Sequence, residues 1–461
     1  MLSMRQAWKA LCALCVGFFM VLIDQTTVAV ALVSVMDHFV VEYDAVVWVP
    51  SIYLLCFVVP LLFAGRLGDR YGQGRVFRIG VAVFIVSAIS AAFAPNMMLL
   101  LLARAVQGIG AAILTPQSMA VINRVFPSGT RGPAYGVWGT VGSVATLVGP
   151  VVGGFIVEAF GWRAVFLLQL PMGIVALVLA WLWIPRLPTA SRSIDGLSVT
   201  VSLVSMSAIV VAIQQGPGLG WPVWVVLLAV GGIALFAWFI YLQSTAVARG
   251  TEALVPLTLF TDRNFTVGNI SMTAMGFVIA SQMIPIMMWL RNVRELDPSQ
   301  AGLMMIPMAA VASVGSPLVG RVVDRASARL LNVAGFGIYG LGFIFVYFTM
   351  VLELPLVWFL LASMLWGVGN SLVWAANSVI SMRDIDVTQM GAASGTYNTT
   401  RQVGCVIGAA AVGGLMQIGV ATWGTTQGLA TTILLLAAMM FVGAVASLFF
   451  TEASSALSTH C

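Results

Sequence analysis

The sequence predicts an all-α membrane protein of fourteen transmembrane helices: two related six-helix bundles with two further helices inserted between them. Three observations carry this. Of 461 residues, 60% are hydrophobic and only 8% charged, and the mean hydropathy is +1.03, more apolar surface than a water-soluble chain of this length hides. Stretches of about 20 apolar residues, the length that crosses roughly 30 Å of hydrocarbon, recur from end to end. Finally, Gly65-Arg66-Leu67-Gly68-Asp69-Arg70 returns 255 positions later as Gly320-Arg321-Val322-Val323-Asp324-Arg325. Each copy stands where an apolar stretch ends and a short charged loop begins. In lipid the backbone must satisfy its own hydrogen bonds, so the stretches are read as helices. Strand-like alternation is too weak for a β-barrel.

Taken in order between charged or Pro/Gly breaks, the spans are 10–34, 46–66, 77–95, 99–121, 133–157, 164–184, 196–214, 222–243, 267–290, 300–320, 331–351, 356–380, 392–419 and 429–450. The first carries Asp24 and lacks a small-residue cleavage site, so it reads as a membrane helix rather than a leader. The repeated motif closes spans 2 and 10, an offset of eight helices where six-helix halves give six. Spans 7 and 8 are therefore inserted. The segment 185–193 is the linker into them and 249–264 the linker out. The expected domains are 1–185, an N-terminal bundle; 186–264, linker and inserted helices; and 265–461, a C-terminal bundle.

Charge sets the expected orientation. Placing the N-terminus in the cytoplasm puts 16 of the 21 basic residues on that side and only Arg163, Arg291 and Arg294 opposite, with Arg104 and Arg401 inside spans. Both termini are then cytoplasmic. The net charge of +5 is scattered between spans rather than gathered in a patch, which excludes a nucleic-acid partner. Of the cysteines Cys12, Cys15, Cys56, Cys405 and Cys461, four lie in apolar spans and read as buried small hydrophobes. His38 reads as a loop residue. No Walker sequence, His/Glu metal pair or nucleophile–base set has usable spacing, so neither an enzyme nor a metal site is expected.

Several motifs bear on function. Gly65-x-Leu67-x-Asp69-Arg70-x-Gly72 combines small residues, which let helix ends approach, with a carboxylate able to accept from arginines or from a neighbouring helix N-terminus. Arg104, with Gln107, Gly108 and Gly110, lies in span 4, where a charge is costly. Gly149-Pro150-Val151-Val152-Gly153-Gly154 closes span 5 with close-packing positions and a proline that invites a kink. Asp24-Gln25-Thr26-Thr27 interrupts span 1, and Asp24 is the one carboxylate deep in a span, a candidate to bind and release a proton. Trp162-Arg163-x-x-Phe166 and Gln169-x-Pro171 open span 6. Gly391-x-x-Ser394-Gly395-x-x-Asn398-Thr399-Thr400-Arg401-Gln402 opens span 13.

Together these motifs resemble the major facilitator superfamily over nearly the whole chain, and within it the fourteen-helix drug:proton antiporters. The resemblance implies a latch at Gly65, Asp69, Arg70 and Gly72, repeated at Asp324 and Arg325, that joins helix ends of the two halves and holds the outward-facing state. It departs from the family at Gln73-Gly74, where a basic pair is usual, and that predicts a weaker latch. It implies proton or substrate coupling at Asp24, Arg104 and Gln107, and an exporter signature at Gly149, Pro150, Gly153 and Gly154. After Asp24 the family's Asn and Pro are replaced by Ala29 and Val33. Gln282, Asn370, Asn398, Arg401 and Gln402 are cavity candidates; Arg401 and Gln402 fit a cavity face and a buried structural network equally, and the neutral amides, with Gln117, Gln214 and Asn377, fit interhelical hydrogen bonding.

The implied function is proton-coupled antiport that exports small amphipathic or cationic compounds, driven by the proton gradient without a cofactor. The partners are substrate, protons and lipid, with a monomer in a bacterial cytoplasmic membrane. Two further readings stand beside it: export of an endogenous metabolite or lipid, and a non-transporting membrane sensor or assembly protein.

Overall fold

The computed structural model describes residues 3–41, 43–46, 48–127, 129–189, 195–246, 248–323 and 326–452. Helix α1 is Met4–Phe39, started by a Ser3/Gln6 capping box. It outruns the apolar span at both ends because the hydrocarbon length limits apolar sequence, not helix. His38 accordingly lies in its last turn and not in a loop, where it meets Arg163 at 3.1 Å. Helix α2 is a pair, Trp48–Val58 and Leu61–Tyr71, bent by 47°. Pro60 sits at the break, where it can donate no backbone hydrogen bond. Then follow α3 Gln73–Ala92, α4 Met97–Val125, α5 Arg131–Phe160, α6 Arg163–Trp183, α7 Gly196–Leu219, α8 Val223–Ser244, α9 Arg263–Val293, α10 Gln300–Val322, α11 Ala328–Val351, α12 Leu356–Ser381, α13 Met390–Trp423 and α14 Thr425–Ser447. Among the described residues 13 helices are long and apolar enough to cross a membrane, and bent α2 makes a fourteenth if it is one crossing. The helix α5 runs through Pro150 without a break.

Packing repeats in two sets. In the first, α3 lies on α4, α4 on α2, and α1 on α5 and α6. In the second, α11 lies on α12, α12 on α10, and α9 on α13 and α14. Glycines set the crossings. A Cβ on Gly110 would stand 2.8 Å from the Phe84 backbone nitrogen, and one on Gly369 would stand 2.7 Å from the Gly335 carbonyl. The two sets meet where α2 crosses α13 and α10 crosses α5.

Helices α7 and α8 pack on each other and bridge that boundary. Val201, Phe239 and Leu242 cover Leu62 of α2, while Met206 and Val210 pack with Val58, Val59 and Val406 of α13. The flanking segments dock on the ends of α2 and α4. Arg66 donates from Nε to the Leu254 carbonyl (2.8 Å) and from Nη2 to that of Ala253, and Arg124 donates to the Pro188 carbonyl (2.8 Å). Gln243 ties α8 to Ser198 of α7 (3.0 Å) and accepts from Val255 N (3.1 Å). Of the cysteines, Cys15 is buried, Cys56 and Cys405 are half-buried and Cys12 is exposed. Cys12 thus departs from the expected burial because an apolar helix face in lipid needs no cover; Cys461 lies outside the described residues.

Candidate functional site

Asp24, Arg104 and Gln107 come together in one fully buried cluster between α1 and α4. Arg104 Nη1 donates to Asp24 Oδ2 at 2.8 Å and to Gln107 Oε1 at 2.7 Å, and Gln107 Nε2 donates to Asp24 Oδ1 at 3.1 Å. Arg104 and Gln107, three residues apart, share one helix face. Arg104 Nε reaches the Val49 carbonyl (3.3 Å), and its guanidinium lies 4.2 Å from the Tyr53 ring centre. The arginine does not reach out to a membrane interface: it ends on a carboxylate inside the bundle. The polar stretch after Asp24 stays helical because the Thr26 and Thr27 hydroxyls turn back onto the Ile23 carbonyl, at 3.0 and 2.8 Å.

Glycines let helices close around this cluster. A Cβ on Gly149 would collide with Thr26, and one on Gly153 would lie 3.0 Å from Thr27 Cα. These two positions seat α5 on α1 beside Asp24. The rest of that motif faces elsewhere: Pro150 is exposed and a Cβ on Gly154 would meet nothing within 4 Å. The exporter signature therefore splits into a packing face and an outer face, since residues i and i+4 align on a helix and their neighbours do not.

A second cluster forms at the end of the bundle where α1 starts and α14 ends. Asp69 accepts from the backbone N–H groups of Gly391 (3.0 Å) and Ala392 (3.1 Å), the first turn of α13, whose unpaired donors and dipole favour an anion. Gly65 makes the approach possible, because its Cβ would strike the Gly391 carbonyl. The cation on Asp69 is Arg124 of α4, at 3.1 Å, not Arg70. Arg70 is exposed and lies over the Tyr71 ring (5.2 Å), as its place one residue on turns it to the helix outside. Gln73, the departure that predicted a weaker latch, is buried inside it. It donates to Asp69 Oδ1 (3.2 Å) and accepts from Arg124 (3.2 Å). Gly72 turns the chain from α2 into α3 at φ +91°, where a side chain is strained.

The second copy of the motif has the same backbone crossing. A Cβ on Gly320 would stand 2.6 Å from the Gly132 carbonyl and 2.9 Å from Gly136 Cα. Asp324 and Arg325 lie outside the described residues.

Among the described residues no hydrogen bond joins one cavity candidate to another. Gln282 accepts from the Tyr339 hydroxyl (3.0 Å), and Asn398 donates to the Ser394 carbonyl of its own helix (2.9 Å). Gln402 is buried, Asn370 is half-buried, and half-buried Arg401 lies over Trp374 at 5.7 Å. Sequence reasoning missed Tyr53, Gln73 and Arg124. The Tyr53 hydroxyl-bearing ring inside an apolar span was a usable signal. Arg124 looked like one more loop arginine.

The chain matches the Major Facilitator Superfamily over residues 14–409. It is 37% identical over 412 residues, 89% of this chain and 71% of the relative, to an uncharacterized MFS-type transporter, Rv1250, of Mycobacterium tuberculosis. It is 31% identical over 406 residues, 87% and 74% of the two chains, to the multidrug resistance protein Stp of the same species. Its fold matches that of the proton:xylose symporter XylE with a TM-score of 0.71 at 13% identity, over 96% of this chain and 95% of the other. With a family match over most of its length and these apolar helices, the chain is a multi-pass integral membrane protein that belongs to the major facilitator superfamily, a family of transporters rather than enzymes.

Proposed function

We propose that the protein is a proton-coupled antiporter of the fourteen-helix drug:proton branch, exporting small amphipathic compounds by alternating access. Two six-helix bundles, residues 1–185 and 265–461, rock about a central site, and residues 186–264 add the inserted pair. Both termini face the cytoplasm of a bacterial cell. The resistance protein Stp among the relatives supports export. The observation that carries the reading is the buried set of Asp24, Arg104 and Gln107.

A proton on Asp24 removes the charge that holds Arg104. The guanidinium keeps Val49, Gln107 and the Tyr53 face, but the ion pair joining α1 to α4 is gone. Coupling requires that Asp24 bind its proton with unequal affinity in the two conformations, the role proposed for it here. The Asp69 latch closes the termini-bearing end, so in the proposed orientation this is the outward-facing arrangement. The proton gradient supplies the energy and one chain suffices.

The test is purified protein in proteoliposomes with an imposed pH gradient, screened against dyes, antibiotics and lipids. Wild type moves compound and protons in opposite directions. Folded Asp24→Asn loses proton dependence. If that variant pumps against a gradient with unchanged proton dependence, the reading fails.

A further inference from the structure

Aromatic rings cross from the first helix set to the second less than two turns from Asp24. Phe18 of α1 stacks on Trp138 of α5, with centroids 4.2 Å apart and planes at 21°. Trp138 meets Trp374 of α12 at 5.7 Å. The Arg401 guanidinium of α13 stands 5.7 Å from the Trp374 ring centre. Glycine makes room for this run: a Cβ on Gly139 would lie 3.0 Å from Trp374 Cδ1.

Two features of the run bear on a ligand: an indole N–H without an acceptor, which Trp162, Trp289 and Trp366 share elsewhere in the structure, and a cation with no anion among the described residues. The indole N–H of Trp138, which is 3% exposed, has no acceptor. An unpaired buried donor is unfavourable unless something else accepts from it. Arg401 is the second cation inside the spans, and among the described residues no carboxylate lies within ion-pair distance of it. Among the described residues, the mid-span carboxylate Asp24 is already held by Arg104 and the helix-end carboxylate Asp69 by Arg124. A guanidinium at membrane depth without an anion is costly and points to function.

We infer that Phe18, Trp138, Trp374 and Arg401 form a substrate face selective for planar aromatic compounds carrying an acidic or strongly accepting oxygen, such as a carboxylate or phenolate. This rests on the export reading and narrows its amphipathic compounds to acids. The rings supply stacking area, while Arg401 and the Trp138 N–H supply donors. Arginine suits the role because its planar fork meets a carboxylate with two hydrogen bonds and stacks on an aromatic ring at the same time. A cationic compound at this face finds a like charge and no free carboxylate.

The test is equilibrium binding to the purified full chain in nanodiscs, without a proton gradient, of three matched probes: 2-naphthoate, 2-naphthalenemethanol and 2-naphthylmethylammonium. Wild type binds naphthoate at least about tenfold tighter than the ammonium. Arg401→Gln weakens naphthoate by about 10- to 100-fold, the range of a hydrogen bond to a charged group, and leaves the alcohol within about twofold. Arg401→Lys retains part of the acid preference, as a stacking role alone does not require. Trp138→Phe, which keeps the ring and deletes the N–H, gives a few-fold loss for naphthoate and covers the case in which the arginine variants misfold.

Preference for the ammonium, binding of none of the three, or an equal loss of all three in Arg401→Gln overturns the inference. Acid-selective binding without proton-coupled transport sinks the proposed function and leaves this face standing. Ammonium preference with intact proton-coupled transport does the reverse.

Discussion

Helices α1–α6 and α9–α14 cross at matching places and put different chemistry there. Gly108 brings α4 onto the Tyr53 backbone of α2, and Gly367 brings α12 onto the Met308 backbone of α10. Tyr53 and Met308 are 255 positions apart, as are the two latch motifs. Gly65 meets Gly391 across the boundary, and Gly320 meets Gly132. Around the matched crossings the side chains part. Arg104 and Gln107 precede Gly108, whereas Ser363 and Trp366 hold the corresponding places before Gly367. The Ser363 hydroxyl merely turns back onto the Leu360 carbonyl (2.7 Å), and Trp366 is a fully buried plug. The second set keeps a neutral network instead, with Asn377 donating to Ser271 (2.6 Å) and accepting from the hydroxyls of Tyr397 (2.7 Å) and Ser381 (3.2 Å). Backbone contact tolerates no Cβ and so holds the duplicated glycines. Side chains beside it face no such limit, and among the described residues that freedom leaves the Asp24–Arg104 pair without a counterpart at the matched crossing.

The sharpest way to break this contrast is to remove matched side chains. Arg104→Ala leaves buried Asp24 without its cation, and should cost about 3–5 kcal/mol of stability. Ser363→Ala should cost less than about 1 kcal/mol. Thermal unfolding of the purified variants measures both, and equal losses would erase the asymmetry. Restoring neutrality with Asp24→Asn in the Arg104→Ala background should recover part of the loss.

Matched glycines should behave alike. Gly108→Ala and Gly367→Ala each drive a methyl into backbone, an overpacking cost of about 1–3 kcal/mol. Melting temperatures that diverge by more than the scatter between replicate preparations would show that the crossings are not equivalent. Across the boundary, Gly65→Ala and Gly320→Ala should both spread the termini-bearing end, seen as longer distances between spin labels at Arg75 and Val387. No lengthening in either would refute the paired crossing.

The latch carboxylates test whether the two copies share their role. Asp69→Asn should impair transport more than Asp324→Asn, because the first copy retains Leu67 and Gly72 while the second has Val322 and no glycine after Arg325. A larger loss at Asp324 reverses the ranking. A smaller effect than Arg104→Ala is expected of Gln73→Leu, which deletes one hydrogen bond to Asp69 and one from Arg124, about 1–3 kcal/mol by thermal unfolding. A loss beyond about 3 kcal/mol would make Gln73 a principal part of the latch.

Much of this was legible in the chain. The spans followed from apolar length, and α1 was misjudged only at its ends, where Arg5, Lys9 and Asp37 continue the helix beyond the apolar run. Asp24, Arg104 and Asp69 stood out because each is a charge among apolar residues. Their partners did not. Asp69 takes Arg124, 55 positions on, rather than the adjacent Arg70, since the helix turns the two neighbours to different faces. Gln73 looked like a weakening of the motif and is a component of it, because its value depends on standing one turn from Asp69. The aromatic run was invisible for the same reason, being drawn from four helices.

By itself the sequence determined that this chain lives in a bilayer, crosses it as helices and repeats a glycine-and-Asp-Arg motif at two helix ends. Those are properties of single segments, set by the cost of moving polar backbone and charge into hydrocarbon. Only the tertiary structure decided which charges are paired, which glycines are contacts and which face each donor meets. Helix–helix association in lipid is governed by close packing and hydrogen bonds between particular surfaces, and a pairing between residues tens or hundreds of positions apart exists only once those surfaces have met.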